Sequence, residues 1–185
     1  MQNLNPTLWR TCRMLSGEAR IRLLRTLHDQ PGRNVTELAQ AVDIGLSDAS
    51  QELRRIQSRG LLQPEHRGAA LVYRLGADPQ VASAAPLLKA LKATFASPAT
   101  DSATTIQAIA NSFGHPKRIA ILKSLMQAPK SVYGLHNEIR TAYGNLQRHL
   151  QILLDSGLVC RKDRQFHFIA PTHPLARALL KLLPE

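Results

Sequence analysis

One stretch of the chain combines an apolar stripe with polar side chains that can form paired hydrogen bonds. Leu146, Leu150 and Leu153 recur at helical spacing, so they predict the buried face of a helix. The opposite face then carries polar residues, which are Asn145, Gln147, Arg148 and Gln151. An amide side chain can bind the edge of adenine with two hydrogen bonds, and a guanidinium group can bind guanine in the same way. The spacing therefore favours a helix that reads base edges, with a merely solvated helix face as the alternative.

A basic turn follows this helix. Residues 158–169 alternate in character and predict a β-hairpin that turns near Asp163. Three basic residues crowd this turn, which are Arg161, Lys162 and Arg164. Basic hairpin tips usually lie along the phosphate backbone or enter the minor groove, and folding does not require them. Contact with nucleic acid is therefore favoured over plain solvation.

The same pattern occurs twice in the chain. Residues 16–27 align with residues 114–125 at a spacing of 98, and residues 35–63 align without a gap with residues 132–160 at a spacing of 97. A period of this length is typical of a duplicated small domain. The sequence therefore predicts a first copy (residues 1–96), a linker (97–102) and a second copy (103–185).

Each copy is predicted to contain four helices, a hairpin and a closing apolar helix. Thr36 and Ser47 are the predicted N-caps of the third and fourth helices of the first copy. The third helix is predicted to bury three residues, which are Leu38, Ala41 and Val42. The hairpins are predicted to turn apolar side chains to one face, namely Leu71, Tyr73 and Leu75 in the first copy and Phe166 and Phe168 in the second. This order predicts a mainly α fold with small β-hairpin wings, arranged as two tandem winged helix-turn-helix domains.

The first copy offers a second set of contact residues on its fourth helix and hairpin tip. They are Ser47, Ser50, Gln51, Arg54, Arg55 and Arg67. The same helix carries Asp48 and Glu52, whose carboxylates repel phosphate, although they can accept a hydrogen bond from the cytosine amino group. We therefore expect the second copy to dominate base reading. The first copy is expected to read DNA weakly or to serve mainly in assembly.

Residues 145–159 (NLQRHLQILLDSGLV) resemble the recognition helix and following strand of ArsR-type winged-helix transcription regulators. Residues 113–122 (FGHPKRIAIL) resemble that family's turn into its second helix, and the first copy fits more loosely through residues 15–27 and 46–62. The resemblance implies double-stranded DNA as the partner. It also implies that the first and last helices form a dimer interface, with packing inside one core as the alternative.

The charge of the chain agrees with a polyanionic partner. The formal net charge is +11, and the first 96 residues hold 13 basic against 8 acidic residues while the remainder holds 11 against 5. Each Lys or Arg placed against a phosphate releases condensed counterions, whereas solubility alone is the alternative explanation of the charge. No stretch is long and apolar enough for a membrane span and no signal pattern is evident, so we expect a cytoplasmic protein that contacts no membrane.

Neither a metal site nor an enzyme site is expected. Many ArsR-type metal sensors carry paired cysteines on the third helix, but residues 36–42 and 133–139 contain none, so no cofactor is predicted. His115, His167 and His173 are interpreted as surface or capping residues, and Cys12 and Cys160 as reduced residues, with redox sensing as the alternative. The chain also lacks a glycine-rich phosphate loop, paired carboxylates and a Ser-His-Asp pattern, so it is not expected to be an enzyme.

These patterns favour a sequence-specific DNA-binding transcription regulator, with repression as its expected effect and activation as the alternative. The alternative is a protein-interaction or scaffold module, because tandem winged helices can also act as docking domains. The apolar first and last helices favour a homodimer with four winged helices, whereas an intramolecular pseudo-dimer of the two copies is the alternative. No small-molecule effector can be named from the sequence.

Overall fold

The computed structural model of the protein describes residues 7–183. Its first half contains these elements: α1 (Leu8–Leu15), α2 (Glu18–Asp29), β1 (Arg33–Asn34), α3 (Val35–Val42), α4 (Leu46–Gln57), β2 (Leu62–Arg67), β3 (Ala70–Leu75) and α5 (Ala84–Phe95). Its second half contains these: α6 (Ala103–Phe113), α7 (Pro116–Gln127), β4 (Lys130–Ser131), α8 (Val132–Ile139), α9 (Tyr143–Asp155), β5 (Val159–Lys162), β6 (Gln165–Phe168) and α10 (Pro174–Lys181). Helices and strands follow one another in the same order in both halves.

Each half holds a small antiparallel sheet of three strands. The strand orders are β1-β3-β2 and β4-β6-β5. The hairpin of the second half turns at Asp163 and Arg164, which both have positive φ angles (48° and 63°). Two such residues in succession match a tight two-residue hairpin turn, whose twist suits the flanking strands. A mainly helical chain with two such sheets fits the winged helix-turn-helix fold.

Two of the predicted helix caps were wrong. The side chain of Asn34, not Thr36, caps α3 by accepting a hydrogen bond from the backbone N–H of Glu37 at 3.0 Å. The Glu37 carboxylate binds the backbone N–H of Asn34 in return at 2.9 Å, which completes a capping box. Ser47 is the second residue of α4 rather than its cap, because that helix follows Gly45 with no side-chain cap.

The predicted buried faces need two corrections in the first copy. Ala39 is buried in α3 whereas Ala41 is exposed. The helix packs against α2 and α4, and its buried residues are Leu38, Ala39 and Val42. In β3, Val72 is buried and Leu71 is 38% exposed, so the strand turns the other set of side chains inward at that point. In the second copy, Phe166 is buried and Phe168 packs partly buried against the core, as predicted.

The two halves share one hydrophobic core. Helix α1 packs against α6, and α5 packs against α10, so the first and last helices of each half meet their counterparts in the other half. Their inward residues are fully or almost fully buried within the single chain, for example Leu15, Leu87, Leu91, Ile106, Leu175 and Leu179. The flanking helices α1, α5, α6 and α10 therefore join the two halves.

The segment between the halves is fixed at both sides. Asp101 forms an ion pair with Arg25 on α2. The imidazole of His173, which precedes α10, is 3.0 Å from the carbonyl oxygen of Thr100 through Nε2, and its Nδ1 accepts from the backbone N–H of Leu175 at 3.2 Å. The second copy's closing helix is thus anchored to the linker. None of the helices within residues 7–183 is long and apolar enough to cross a lipid bilayer.

Candidate nucleic-acid interface

Three of the predicted base-reading residues share the first two turns of α9. Asn145, Gln147 and Arg148 are exposed, while Leu146 and Leu150 on the opposite face are buried. The beginning of a recognition helix is the part that reaches base edges in the major groove. The structure therefore collects an amide pair and a guanidinium on one accessible surface.

Gln151 differs from these three residues. It is exposed, but its Nε2 donates a 2.7 Å hydrogen bond to Oδ1 of Asp155, one turn further along α9. This bond turns the amide toward the end of the helix. Gln151 must break it before it can contact a base.

The turn into α9 is set by backbone conformation and by a lysine. Arg140 has a left-handed φ of 51°, and Asp43 has a φ of 54° at the equivalent turn of the first copy. Lys117 on α7 donates from Nζ to the carbonyl oxygen of Ile139 at 2.7 Å. A cation at the end of α8 is favourable because the last carbonyl groups of a helix are its negative pole. This bond ties the end of α8, just before the turn into α9, to α7.

His149 lies on α9 beside two other groups that can carry positive charge. Its ring centroid is 4.6 Å from that of His115, and Arg118 lies nearby, 7% exposed. Burial, followed by the influence of His115 and Arg118, lowers the pKa of His149 to about 4. His149 is therefore neutral near neutral pH and adds no charge to the α9 surface.

His115 acts as a helix cap, as does His173, whereas His167, which was interpreted with them as a surface or capping residue, is half-buried on β6. Its Nδ1 accepts a hydrogen bond from the backbone N–H of Lys117 at 3.1 Å at the start of α7. Burial and then the charge of Arg118 lower the pKa of His115, with smaller effects from Arg13 and Lys117. The low pKa suits the cap, because only an unprotonated Nδ1 can accept this bond.

The wing of the second copy presents cations with no acidic partner close by. Arg161, Lys162 and Arg164 are all exposed, and no carboxylate of residues 7–183 lies within ion-pairing distance of them. The guanidinium of Arg161 lies 5.8 Å from the ring centre of Phe166, its cross-strand partner on β6. These charges remain available for phosphate groups.

The wing of the first copy has longer strands than that of the second, but a carboxylate lies beside its arginines. Arg67 lies at its tip with Nε 3.5 Å from Oε1 of Glu65, and Arg74 lies 3.7 Å from Oε2 of the same residue. All three side chains are largely exposed, so the contacts are weak, yet they place one carboxylate between the two cations. The first wing therefore offers phosphate a weaker field than the second.

The recognition face of the first copy is partly occupied by an internal ion pair. Ser47, Gln51 and Arg54 are exposed on α4, and Ser50 is half-buried. Glu52, by contrast, is drawn inward: its Oε2 lies 2.5 Å from Nη1 of Arg20 on α2, and its Oε1 lies 2.5 Å from Nη1 of Arg55. Arg55 is thereby directed away from base contact, while Asp48 stays exposed on the same helix.

The sequence patterns missed a pair of exposed apolar residues at the start of α4 and α9. Leu46 is 52% exposed and Tyr143 is 45% exposed, and they are equivalent at the 97-residue spacing. The Tyr143 ring stacks on His136 with centroids 4.0 Å apart. The signal was present in the repeat alignment, because each copy places a large apolar residue directly after a turn. Such residues can contact thymine methyl groups or the sugar backbone.

Cys12 and Cys160 are both free thiols in the described part of the chain. Burial raises the pKa of the Cys12 thiol, and Cys160 is half-buried on β5. Within residues 7–183, no group of three or more His, Cys, Asp or Glu side chains lies close enough together to hold a metal ion.

Comparison with known proteins bears on one part of this surface. No curated protein matches the chain. Residues 115–160 match the family of bacterial regulatory proteins described as the arsR family. The matched segment runs from the His115 cap through α7, α8 and α9 into the first strand of the wing. This segment is thus similar to ArsR-type helix-turn-helix domains, which indicates DNA binding and transcription regulation.

Proposed function

We propose that the chain is a sequence-specific DNA-binding transcription regulator built from two tandem winged helix-turn-helix domains. The proposed domains are residues 1–96 and 103–185, joined by residues 97–102. The observation that carries the proposal is the exposed set Asn145, Gln147 and Arg148 at the start of α9, next to an unpaired basic wing, in the segment similar to the ArsR family. Repression is the proposed effect, with activation as the alternative.

The second copy is proposed to read the bases. Arg148 suits guanine and the amides of Asn145 and Gln147 suit adenine, while Arg161, Lys162 and Arg164 bind the backbone beside the major groove. Gln151 is proposed as a further contact after it releases Asp155. In the first copy, Ser47, Ser50, Gln51, Arg54 and Arg67 are proposed to make weaker contacts, and Arg55 to contribute little because it binds Glu52.

The two copies are proposed to act as an intramolecular pseudo-dimer. The sequence favoured a homodimer because the apolar surface of the flanking helices must be buried against another element. In the described residues these helices cover one another, α1 against α6 and α5 against α10. One chain can then present two recognition helices, as a dimer of single-domain regulators does. A sedimentation mass near 20.4 kDa at micromolar concentration supports this arrangement, and twice that mass supports the homodimer.

The protein-interaction alternative keeps one specific observation in its favour. Leu46 and Leu71 are exposed on the first copy, which also carries the exposed Asp48. A docking surface is expected to present such apolar groups. If the first copy docks a protein, Leu46→Ser should leave DNA affinity unchanged and weaken the protein complex.

Binding to duplex DNA at several salt concentrations tests the proposal. The labelled probe is the duplex upstream of the protein's own gene, followed by fluorescence anisotropy, with a scrambled duplex as the control. Because several phosphates are neutralised, affinity should fall by roughly a thousandfold between about 50 and 200 mM salt. Weak binding that does not change with salt would show that the basic wing and α9 do not engage DNA.

A further inference from the structure

A cleft of about 620 Å³ opens on the first copy where α1, α2 and the end of α4 meet. It is lined by one aromatic residue and five arginines, which are Trp9, Arg10, Arg13, Arg20, Arg55 and Arg59. Its volume is in the usual range for small-molecule sites. Arg55 and Arg59 lie at and beyond the last turn of α4, whereas the base-reading positions lie in its first turns. Apart from Arg55, the cleft is therefore lined by residues outside the proposed DNA contacts.

The cleft holds more positive charge than the chain itself balances. Glu52 lies between Arg20 and Arg55, 2.5 Å from each, so one carboxylate serves two guanidinium groups and fixes their orientation. No carboxylate of residues 7–183 lies within ion-pairing distance of Arg10, Arg13 or Arg59. Five guanidinium groups against one carboxylate leave an excess of four positive charges around one cavity. Such repulsion is relieved when an anion of several charges enters.

The second copy shows that this charge is not a general property of the repeat. The 98-residue spacing continues through α1, because its buried residues Thr11, Cys12, Met14 and Leu15 match the buried Ile109, Ala110, Ser112 and Phe113 of α6. Four of the five arginines then correspond to uncharged residues, with Ala108, Asn111, Ile152 and Ser156 in place of Arg10, Arg13, Arg55 and Arg59. Only Arg20 has a basic counterpart, Arg118. The arginines are thus concentrated at one cleft of one copy.

We propose that this cleft binds a small ligand with two or more phosphate groups. Arginine suits phosphate because its planar fork donates two parallel hydrogen bonds to one phosphate group. A ligand with a single carboxylate would leave most of the excess charge unbalanced, whereas a di- or triphosphate would balance it. Trp9 adds an aromatic surface at the rim, already close to Arg10 at 5.2 Å from the ring centre. The proposal stands apart from the proposed DNA binding, because it uses different residues apart from Arg55.

The chain provides its own reporter for this site. Trp9 is the single tryptophan of the sequence and lines the cleft, so intrinsic fluorescence reports on occupancy. The full-length protein is titrated with inorganic phosphate, inorganic tripolyphosphate and ATP at about 150 mM salt, which screens weak surface attraction. Tripolyphosphate and ATP should give saturable changes, and inorganic phosphate should bind far more weakly. Tighter binding of ATP than of tripolyphosphate supports a nucleotide as the ligand, and equal binding supports a free polyphosphate.

Two variants and a matched control locate the binding. Arg13→Asn and Arg59→Ser place the second copy's residues in the cleft, and each should weaken tripolyphosphate binding about tenfold or more, since each removes charge-assisted hydrogen bonds. Arg59→Lys keeps the charge but loses the fork, so it should lie between Arg59→Ser and the unchanged protein. Arg22→Ala removes an exposed arginine of α2 that does not line the cleft, and it should leave binding unchanged.

Three results would overturn the proposal. One is the lack of saturable binding of any of the three probes up to about 10 mM. Another is a loss of binding in Arg22→Ala as large as that in Arg59→Ser, which would mean that only the overall charge matters. The third is a loss of DNA affinity in Arg13→Asn and Arg59→Ser without any binding of tripolyphosphate, because the cleft would then be a contact for the DNA backbone.

Discussion

The two copies differ in the polar side chains that lie between the second and fourth helices of each copy. In the first copy, Arg20 on α2 is paired with Glu52 on α4, and both side chains are less than one-fifth exposed, at 17% and 16%. In the second copy, the equivalent residues are Arg118 on α7 and His149 on α9. Arg118 donates from Nη2 to Asn111 at 3.1 Å, but its buried Nε has no protein partner in the described chain.

This difference changes which charged side chains of α4 and α9 are paired inside the chain. The Glu52 carboxylate joins α4 to the core and also holds Arg55, so the first copy uses two charged residues of its recognition helix for internal contacts. In the second copy the neutral His149 attracts no neighbouring arginine, and Arg148 stays exposed toward solvent. The second copy therefore leaves Arg148 without an ion-pair partner in the described chain, whereas Arg55 of the first copy is paired with Glu52.

The largest expected effect tests whether the copies are one cooperative unit. Leu91 on α5 is fully buried in the bundle where α5 packs against α10 of the other copy. Leu91→Ala should lower the free energy of unfolding by about 4 kcal/mol, because it leaves a cavity in a shared core. Calorimetry should show one transition at a lower temperature. Leu46→Ala, at an exposed position, should shift it little. Two separate transitions would show that the copies fold independently.

The next effect concerns the ion pair that distinguishes the copies. Glu52→Ala should cost about 3 kcal/mol of stability, because it leaves the mostly buried Arg20 without its carboxylate partner. Chemical denaturation measures this loss. Asp48→Ala removes an exposed carboxylate of the same helix and should change stability by about 0.5 kcal/mol or less. Equal effects of the two substitutions would mean that the Arg20–Glu52 contact contributes no more than surface charge.

A smaller effect is expected from pH in the second copy. The pKa of His149 is about 4 in the folded protein and about 6.5 when the chain is unfolded. Between these values the unfolded chain binds the extra proton, so stability should be full above pH 6.5 and decline as the pH falls toward 4, by up to about 2 kcal/mol after allowance for partial exposure. His149→Gln should flatten this decline when melting is followed from pH 7 to 4. A decline of unchanged size in that variant would assign it to other groups.

The repeat alignment predicted much of the fold, because helix periodicity, glycine and proline positions and the hairpin turn are local signals. The order of the helices and hairpins, the exposed face of α9 and the turn at Asp163 agree with the sequence predictions, whereas the short strands β1 and β4 were not predicted. The local sequence did not show which of several nearby polar residues caps α3. The cap is Asn34 and not the predicted Thr36. The inward face of α3 also depends on the neighbours it packs against, which is why Ala39 rather than Ala41 is buried.

Long-range partners were beyond the sequence patterns. Glu52 looked like a carboxylate facing phosphate because its partner Arg20 lies 32 residues away in the chain. An apolar stripe does not reveal whether its cover lies in the same chain or in a second one. In the described residues α1 packs against α6 and α5 against α10, and the homodimer stays a prediction. The arginine cleft also escaped notice, since Arg13 and Arg59 meet only after α1 and α4 are packed.

Base reading by the second copy can be tested directly with one measurement. A preferred duplex is first selected from a random pool with the unchanged protein. Its affinity and that of a random duplex are then measured for Arg148→Ala in the second copy and Gln51→Ala in the first. Arg148→Ala should reduce the preference for the selected duplex about tenfold, or ~1.4 kcal/mol, with little change on random DNA, and Gln51→Ala should reduce it less. A larger loss of preference in Gln51→Ala, or an equal loss on both duplexes in Arg148→Ala, would contradict the account.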